Sequence, residues 1–304
     1  MNIDTYKSGF VAIIGRPNVG KSTFLNKVIG KKIAIMSDKP QTTRNKILGI
    51  LTTDEYQIAF TDTPGIHKPT TELQRRMVDA SYDSVSGVDA VIFMTTPVKH
   101  VLPGDQIILD NLKKLRIPVY LVINKVDQLS KFNDIDLTIA IYKDLYPFQG
   151  YFPISVLENK NVDKLLEEIV KAIPFGPKFY PDDMISDHSE RFLISELIRE
   201  KILFLTKEEV PHSIAVVVDS MKDSLEQENY VDIYATIYVE RDSQKKIIIG
   251  SGGQLIKSIK EKSINDIKKL LGKKVHLDLW VKIKKNWKDR PEDLKNLGYS
   301  KDNF

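Results

Sequence analysis

A stretch with the pattern G-x-x-x-x-G-K-[ST] predicts chemistry most directly in this chain. Residues 15–22 read GRPNVGKS, after the apolar run 10–14 and before residues 23–29, which favour a helix. Glycine lets the backbone turn and approach an anion, and the N–H groups and positive end of the helix then face it. Lys21 would contact the β- and γ-phosphates and Ser22 would bind Mg²⁺. The stretch predicts a phosphate-binding loop, and the alternative is a glycine-rich turn with a chance lysine.

A polar sequence after a second apolar run predicts which base is bound. Residues 124–127 read NKVD and follow the run 118–123. The carboxylate of Asp127 can accept hydrogen bonds from both the ring N–H and the exocyclic amine of guanine, and adenine lacks this pair of donors. A wrong base would leave a buried charge unpaired. Taken by itself, NKVD could be an ordinary polar loop after a strand, which is a common feature. Its occurrence after a phosphate-binding loop predicts that the nucleotide is a guanine nucleotide.

A third motif, DTPG at residues 62–65, follows the apolar run 56–61. An aspartate at a strand end, here Asp62, can hold Mg²⁺ through water, and the N–H of Gly65 can contact a γ-phosphate. The simpler interpretation is a Pro-Gly turn. The order of GRPNVGKS, DTPG and NKVD resembles that of GTPases. The resemblance implies Mg²⁺-dependent hydrolysis of GTP to GDP and phosphate.

The GTPase resemblance also implies roles for single residues. The segment 41–44, QTTR, lies where such proteins keep a mobile switch, and related TTR sequences favour Thr43 over Thr42 as the residue that binds Mg²⁺ and senses the γ-phosphate. Residues 154–156, ISV, resemble the segment over the guanine, although Val156 replaces the usual alanine. The implied catalytic residues are Lys21, Thr43, Asp62 and Gly65, and the implied metal ligands are Ser22, Thr43 and Asp62. The implied GTP-binding residues are Gly15, Arg16, Pro17, Asn18, Val19, Gly20, Lys21, Ser22, Thr23, Asp62, Thr63, Pro64, Gly65, Asn124, Lys125, Asp127, Ser155 and Val156.

One catalytic element of Ras-like GTPases is missing from this sequence. Those proteins follow DxxG with a glutamine that orients the attacking water, whereas this chain has Ile66, which cannot hydrogen-bond water. Hydrolysis must then use another group, a partner or a cation, and the adjacent His67 is one candidate base. Asn18 resembles an asparagine that helps related GTPases to bind potassium. We therefore expect K⁺ to stimulate turnover.

Composition sets the broad class of the protein. The 304 residues are enough for two domains, and the absence of cysteine excludes disulfides, thiol chemistry and cysteine-bound zinc. No apolar run approaches a membrane-spanning length, and residues 1–9 lack the apolar core of a signal peptide, so we expect a cytoplasmic protein. The net charge is +4, yet the segment Lys245–Arg290 holds fourteen basic and four acidic residues, a local charge of +10. Such a segment indicates a polyanionic partner.

Strand and helix patterns alternate up to about residue 175, which predicts an α/β domain of the P-loop GTPase type with a doubly wound, mostly parallel sheet. Residues 174–187 contain three prolines and one glycine and predict an extended linker. The predicted organisation is a GTPase domain over 1–175, a linker over 176–188 and a second domain over 189–304 with a basic tail. The predicted strands of the first domain are 10–14, 47–52, 56–61, 89–94, 118–123 and 151–154, and the predicted helices are 21–29, 71–86, 104–115, 134–145 and 161–172.

The second domain has the order helix, strand, strand, helix, GxxG, helix, strand, which resembles the α+β type II KH fold. KH domains clamp about four nucleotides of single-stranded RNA at the GxxG loop. The loop is GSGG at residues 250–253, and its two middle residues carry no charge. The attraction for phosphate is therefore expected from neighbouring lysines. The implied RNA-binding residues are Lys245, Lys246, Gly250, Ser251, Gly252, Gly253, Lys257 and Lys260.

A GTPase with TTR, DTPGIH and NKVD followed by a KH domain resembles the Era family of ribosome-assembly GTPases over nearly the whole chain. The family implies binding to the 3′ end of 16S small-subunit rRNA and to the 30S subunit during late maturation, with peripheral membrane association in some members. GTP would favour the RNA-competent arrangement and hydrolysis would reset it, and we expect a monomer. Two alternatives remain: an RNA chaperone with a largely structural nucleotide, and another RNA-linked GTPase, acting on tRNA modification or on the large subunit.

Overall fold

The computed structural model describes residues 5–37, 39, 42–64, 71–114, 116–129, 133–207 and 210–299. The chain divides into two compact units, each with its own β-sheet. The first unit contains residues 1–33, 43–68 and 77–187, and the second contains 34–42, 69–76 and 188–304. Among the described residues, no helix combines the length and the apolar character needed to cross a bilayer.

The first unit is built on a six-stranded sheet with the order β2-β3-β1-β4-β5-β6. Strand β2 is antiparallel to β3, and the other neighbouring strands are parallel. The central strands are buried on both faces, which explains why their sequences are almost continuously apolar. The strands are β1 (Lys7–Ile14), β2 (Ile47–Thr52), β3 (Tyr56–Asp62), β4 (Ala90–Thr95), β5 (Val119–Ile123) and β6 (Gly150–Pro153). The predicted doubly wound, mostly parallel sheet is confirmed.

Five helices occur within the N-terminal part of the chain: α1 (Lys21–Ile29), α2 (Glu72–Asp83), α3 (Pro103–Leu112), α4 (Asn133–Lys143) and α5 (Val162–Ala172). Leu109 of α3 and Tyr142 of α4 are buried in one cluster with Phe93 and Leu121 of the sheet. The parallel strands β1, β3, β5 and β6 all end at the same edge of the sheet. The loops that follow them carry GRPNVGKS, the end of DTPG, NKVD and residues 154–156, so the topology gathers the four motifs at one edge.

The segment predicted as a linker is fastened to the first unit. The Gln57 Oε1 accepts hydrogen bonds from the N–H of Phe179 at 2.8 Å and of Tyr180 at 2.9 Å, and its Nε2 donates to the Tyr180 carbonyl at 2.9 Å. The rings of Phe10 and Phe179 stack with their centroids 5.0 Å apart. Prolines lack a backbone N–H, so this segment cannot form a regular ladder of hydrogen bonds. The buried Gln57 amide instead satisfies backbone groups of Phe179 and Tyr180.

The second unit has a three-stranded sheet with the order β7-β8-β9, in which β7 and β8 are antiparallel and β8 and β9 are parallel. Its strands are β7 (Ala215–Asp223), β8 (Tyr230–Val239) and β9 (Lys274–Ile283), and its helices are α6 (Glu190–Leu205), α7 (Asp242–Ile249), α8 (Gln254–Leu271) and α9 (Pro291–Asn296). Side chains of α6, α7 and α8 share one apolar core with all three strands. The element order predicted for a KH domain is confirmed.

Two further stretches pack within the second unit. Trp287, in the predicted basic tail, is fully buried, donates through Nε1 to the Ser213 carbonyl at 3.1 Å and stacks on Tyr299. Ile35, from the segment 34–42, lies in the core of this unit, and the N–H of Met36 donates to Glu200 Oε1 at 2.9 Å. The residues just before Thr43 therefore belong to the same compact unit as the KH fold.

Candidate functional site

The glycines of the phosphate-binding loop are required by close backbone approach. Gly15 has φ +153° and Gly20 has φ +108°, in the region that side chains rarely adopt. A Cβ on Gly15 would lie 2.2 Å from the Met94 carbonyl oxygen, and a Cβ on Gly20 would lie 2.2 Å from Asn124 Nδ2. The loop therefore packs against the strand and the NKVD segment with no room for a methyl group.

Lys21 begins α1 and lies inside the loop. Its Nζ donates to the carbonyl oxygens of Gly15 and Arg16, both at 3.0 Å. Burial lowers the pKa of Lys21, and the carboxylate of Asp62 partly opposes that shift. A phosphate anion bound by the loop would compensate the buried charge.

Three oxygen-bearing side chains meet where the sequence predicts Mg²⁺. Ser22 Oγ donates to Asp62 Oδ2 at 2.6 Å and lies 3.1 Å from Thr43 Oγ1. The other oxygen, Asp62 Oδ1, is buried and has no hydrogen-bond partner among the described residues. Burial raises the pKa of Asp62, against the opposing effects of Lys21 and of hydrogen bonds from Ser22 and Thr43. A buried carboxylate oxygen beside two hydroxyls suits a hard cation, so these residues fit Mg²⁺.

The two threonines of the TTR sequence differ in their surroundings. The Thr43 hydroxyl lies beside Ser22, whereas the Thr42 hydroxyl donates to the Lys39 carbonyl at 2.6 Å. Only Thr43 of this pair therefore lies at the predicted metal position. Among the described residues, no group of three or more His, Asp or Glu side chains could hold a metal ion.

The NKVD segment is tied to the phosphate-binding loop by side chains. Asn124 donates through Nδ2 to the Val19 carbonyl at 2.9 Å and accepts through Oδ1 from the Val156 N–H at 3.2 Å. Lys125, at φ 66°, donates through Nζ to the Asn18 carbonyl at 2.8 Å. One amide thus joins three motifs, and the ammonium of the next residue adds a second bond to the same loop.

Asp127 lies in a short 3₁₀ helix, Val126–Gln128, and is half-buried. Its carboxylate makes no hydrogen bond with any residue that the structure describes, so it keeps its capacity to accept from a guanine. Ser155 is fully buried, and its Oγ accepts from the Glu158 N–H at 3.1 Å. Of these two polar side chains, Ser155 is therefore held by a backbone contact, whereas the Asp127 carboxylate is not.

The remaining predicted residues lie as follows. Pro17 is in the phosphate-binding loop, Thr23 is in the first turn of α1, and Thr63 donates through its hydroxyl to the Ile13 carbonyl at 3.1 Å, just before Pro64. Gly65, the predicted γ-phosphate contact, lies outside the described residues. Ile66 and His67 lie outside them as well, so the role proposed for each of the three stays a prediction.

A buried network behind the loop was not apparent from sequence. Arg16 Nε donates to Asp105 Oδ2 at 2.8 Å, and the Tyr142 hydroxyl donates to the same oxygen at 2.5 Å and lies 3.3 Å from Thr95 Oγ1. Asp105 is fully buried, which raises its pKa against the opposing effects of Tyr142 and Arg16. Arg16 and Asp105 are 89 residues apart in the chain, and no motif connects them.

The GxxG loop joins α7 to α8 in the second unit. Gly250 has φ 75°, and a Cβ there would lie 2.9 Å from the backbone nitrogen of Leu255. Gly252 and Gly253 have φ values of 56° and 78°, but a Cβ on either would meet no atom within 4 Å. Ser251 and Gly252 are exposed. The loop thus presents open backbone between two helix ends, as single-stranded RNA binding requires.

The four lysines predicted to attract RNA differ in their pairing. Lys246 lies 2.9 Å from Asp242, and Lys260 lies 2.9 Å from Asp278. Lys245 and Lys257 form no ion pair with any acidic residue that the structure describes. The positive charge next to the loop is therefore least compensated at these two positions.

Two family models match the chain at the two units. Residues 10–125 match a family described as 50S ribosome-binding GTPase, and residues 209–288 match a family described as KH domain. The first match covers the phosphate-binding loop, the DTPG motif and the start of NKVD. The second covers both sides of the GxxG loop.

Two solved structures are similar over nearly the full length. One is a tyrosine-to-alanine variant of Aquifex aeolicus Era bound to GDP and aluminium tetrafluoride. The other is Era in complex with MgGDPNP and nucleotides 1506–1542 of 16S ribosomal RNA. Each is 40% identical, covers 97% of this chain and 99% of its own, and superposes with a TM-score of 0.92.

Proposed function

This chain belongs to the Era family of GTPases, and from that premise we propose that it uses GTP hydrolysis to time its binding to small-subunit rRNA. In this proposal the KH unit binds the 3′ region of 16S rRNA and assists assembly of the 30S subunit. The observation that carries the proposal is the pairing, in one chain, of a guanine-nucleotide site with an open GxxG loop. That pairing matches, over 97% of the chain, an Era structure bound to 16S nucleotides.

The surroundings of the nucleotide-site residues support the following proposed roles. The loop N–H groups and Lys21 bind the phosphates, and Asp127 accepts from guanine. Ser22, Thr43 and Asp62 would hold Mg²⁺, whose charge neutralises the phosphate oxygens. Val156 contributes its N–H to Asn124 rather than its side chain, so the replacement of the usual alanine changes little.

Hydrolysis needs a charge or a donor in place of the missing glutamine. Asn18 has a left-handed backbone at φ 64°, and its carbonyl accepts from Lys125, so the residue is held at the rim of the loop. We expect a potassium ion near Asn18 to supply positive charge to the phosphates. Steady-state GTP hydrolysis is then faster in KCl than in NaCl at equal ionic strength, and equal rates would remove K⁺ from the proposal.

A path from nucleotide to RNA is supported by the segment before Thr43. Ile35 and Met36 are held by the core and by Glu200 of the second unit, and the Arg199 guanidinium donates to the Thr42 carbonyl. The next residue along the chain, Thr43, lies at the predicted metal site in the first unit. A nucleotide can shift RNA affinity only if it binds two states differently, and this segment is where such a difference would arise.

The decisive measurement is RNA affinity in two nucleotide states. The intact chain is titrated with a 16S fragment covering nucleotides 1506–1542, once with GDPNP and Mg²⁺ and once with GDP and Mg²⁺. We expect the GDPNP state to bind more tightly. Equal affinities would favour the alternative of an RNA chaperone with a structural nucleotide.

Base specificity is tested by Asp127→Asn. The substitution replaces an acceptor by a donor, so GTP binding is expected to weaken and binding of xanthosine triphosphate to appear. Competition of both triphosphates against labelled GDP measures the change. An unaltered preference for GTP would contradict the role of Asp127.

A second candidate target is the large ribosomal subunit, because the matching GTPase family is described as 50S ribosome-binding. Crosslinking the protein to total cellular RNA in both nucleotide states separates the two targets. Sites in small-subunit rRNA support the main proposal, and sites confined to large-subunit rRNA support the second.

Location and assembly also stay predictions of the family resemblance. We propose a cytoplasmic monomer that associates peripherally with the membrane. Sedimentation measures the oligomeric state, and flotation with anionic vesicles measures membrane association.

A further inference from the structure

The KH sheet has a polar and aromatic face opposite its core. Along β8 and β9 the odd-numbered residues, such as Ile233 and Leu277, lie in the apolar core. The even-numbered residues from Tyr230 to Tyr238 and from Lys274 to Lys282 alternate with them and point the other way. We call these even-numbered side chains the outer sheet face.

Aromatic rings are unusually accessible on the outer sheet face. Trp280 is 63% exposed and Tyr234 is 46% exposed. The Tyr230 ring stacks on His276 with centroids 4.5 Å apart. No leucine, isoleucine or valine occurs among the even-numbered positions of either range. The face thus offers flat π surfaces without an aliphatic patch, which suits a stacking ligand better than an apolar one.

The charges around the rings favour an anionic ligand. Lys274 Nζ lies 5.3 Å from the centroid of Tyr230. Lys284 Nζ lies 5.8 Å from that of Tyr238, but its charge is already paired with Asp293 at 2.9 Å. Lys282 forms no ion pair with any described acidic residue.

The carboxylates near the face already have partners. Asp232 pairs with His276 at 2.9 Å, Asp278 pairs with Lys260 at 2.9 Å, and Asp219 accepts from the Thr236 hydroxyl at 2.7 Å. Only the charge of Asp278 is neutralised, by Lys260, while Asp232 and Asp219 are hydrogen-bonded and keep their negative charge. The position next to Trp280 on this face of β9 is Lys282, which has no such partner among the described residues.

We propose that the outer sheet face is a second contact surface for single-stranded RNA, separate from the GxxG loop. Bases stack on Trp280 and Tyr234, and Lys274 and Lys282 attract the flanking phosphates. Exposed aromatic side chains on a sheet, flanked by cations, are a general way to bind unpaired bases. A GxxG loop clamps about four nucleotides, so a longer rRNA segment needs further surface. This inference rests on the proposed function and adds a site to it.

The test compares Trp280→Ala with Trp280→Phe in binding to the 16S fragment 1506–1542. Loss of one stacking platform is expected to weaken binding roughly tenfold for the alanine variant. The phenylalanine variant keeps a ring and is expected to stay within about threefold of wild type. Leu225→Ala is the matched control, because Leu225 is a fully exposed apolar residue of the same unit, outside the outer sheet face.

Fluorescence gives a second readout that folding defects would not imitate. The chain has two tryptophans, and Trp287 is fully buried while Trp280 is exposed. RNA that stacks on Trp280 is expected to quench emission in the wild type, and this quenching is expected to be absent in Trp280→Phe. Both Trp280 variants should unfold at the wild-type temperature, since the side chain is mostly solvated.

Each other outcome has a defined meaning. Wild-type affinity in Trp280→Ala, with no quenching by RNA, would overturn the inference and leave the proposed function intact. Failure of the wild type to bind the fragment would contradict both. Unchanged RNA affinity with loss of self-association in Trp280→Ala would identify a second copy of the chain as the occupant and would also overturn the inference.

Discussion

The phosphate-binding loop and the GxxG loop both place glycines before a helix, but they differ in how closely those glycines are packed. In the phosphate-binding loop, Gly15 and Gly20 have other atoms 2.2 Å from the position of a Cβ. In the GxxG loop, Gly250 also packs closely, with the Cβ position 2.9 Å from the Leu255 nitrogen, but Gly252 and Gly253 have positive φ with open space around them. The first loop is a closed shape for one small ligand, whereas the second is an open platform for part of a long polymer.

The lysines show the same contrast. Lys21 is buried and donates to two loop carbonyls, so its position is fixed before any phosphate is bound. Lys257 is exposed and has no acidic partner among the described residues. A fixed ammonium gives specificity for one phosphate position, whereas solvated lysines give affinity that is spread over many positions and depends on salt.

The largest effect is expected from Gly20→Ala, which tests whether the closed loop tolerates a single methyl group. The new Cβ would displace Asn124 and strain the backbone, so GDP affinity is expected to fall roughly 100-fold, as for ångström-scale misplacement of a binding group. Titration with fluorescent GDP measures this.

Gly30→Ala is the control for that change, because Gly30 ends the same helix at φ +73° with no atom within 4 Å of a Cβ. It is expected to cost about 1 kcal/mol of folding free energy and to leave GDP affinity nearly unchanged. Equal losses of affinity in the two variants would show that backbone strain, not close packing, governs the loop.

The next effect concerns the network behind the loop. Asp105→Asn leaves Arg16 without its carboxylate and is expected to lower the free energy of unfolding by about 2 kcal/mol, with a weaker loss of GDP affinity. Urea denaturation and GDP titration measure the two quantities. Asp110→Asn changes an exposed carboxylate on the same helix and should alter neither. A loss of stability without any change in GDP affinity would show that the network does not position the phosphate-binding loop.

Asp62→Asn is expected to abolish GTP hydrolysis and to increase the stability of the folded state. Because burial raises the pKa of Asp62, the folded state opposes its ionisation, and stability falls as pH rises from the unfolded value near 3.8 through the folded pKa. In EDTA and without nucleotide, the variant should be more stable at pH 7 by about 1 kcal/mol, and the gain should shrink at lower pH. Mg²⁺-dependent GTP hydrolysis should be lost. Thermal unfolding across pH measures the gain, and a gain independent of pH would contradict a charge effect.

The smallest effects are expected on the open platform. Lys257→Gln should weaken binding to the 16S fragment about threefold and lower the salt dependence by about 0.7 in log–log slope, the share of one phosphate contact on a single strand. Lys246→Gln should do less, because Asp242 already pairs with that lysine. Affinities at two or more salt concentrations measure both. A larger loss at Lys246 would show that the ion pair opens on binding.

The sequence predicted best where one local rule decides the outcome. Continuous apolar runs placed β1, β3 and β5, and the Lys21 motif placed the loop between strand and helix. The KH fold was predicted from the order of its elements around the GxxG loop. In its last strand, β9, the side chains alternate, with Val275 and Leu277 in the core, although Ile283 at the strand end is 41% exposed. In each case the spacing of apolar residues shows which face of the strand or helix is buried, and the buried face must pack against another element.

Contacts between distant positions could not be predicted in that way. Nothing local indicates that Gln57 holds the proline-rich segment, that Trp287 packs the tail, or that Asn124 bonds to Val19. Such bonds depend on which backbone groups are left unpaired once the sheets have formed. The outer sheet face had a local signal in the tyrosines at 230, 234 and 238, which recur on one side of a strand.

The bonds from Asn124 and Lys125 to the carbonyls of Val19 and Asn18 have a thermodynamic consequence. A nucleoside that orders the NKVD segment also orders the carbonyls of the loop that receives the phosphates. The conformational entropy of that backbone is then lost when the first ligand binds, and the second ligand binds without losing it again. Free guanosine and inorganic pyrophosphate, added as separate molecules, would therefore bind cooperatively, each raising the affinity of a companion to which it is not joined.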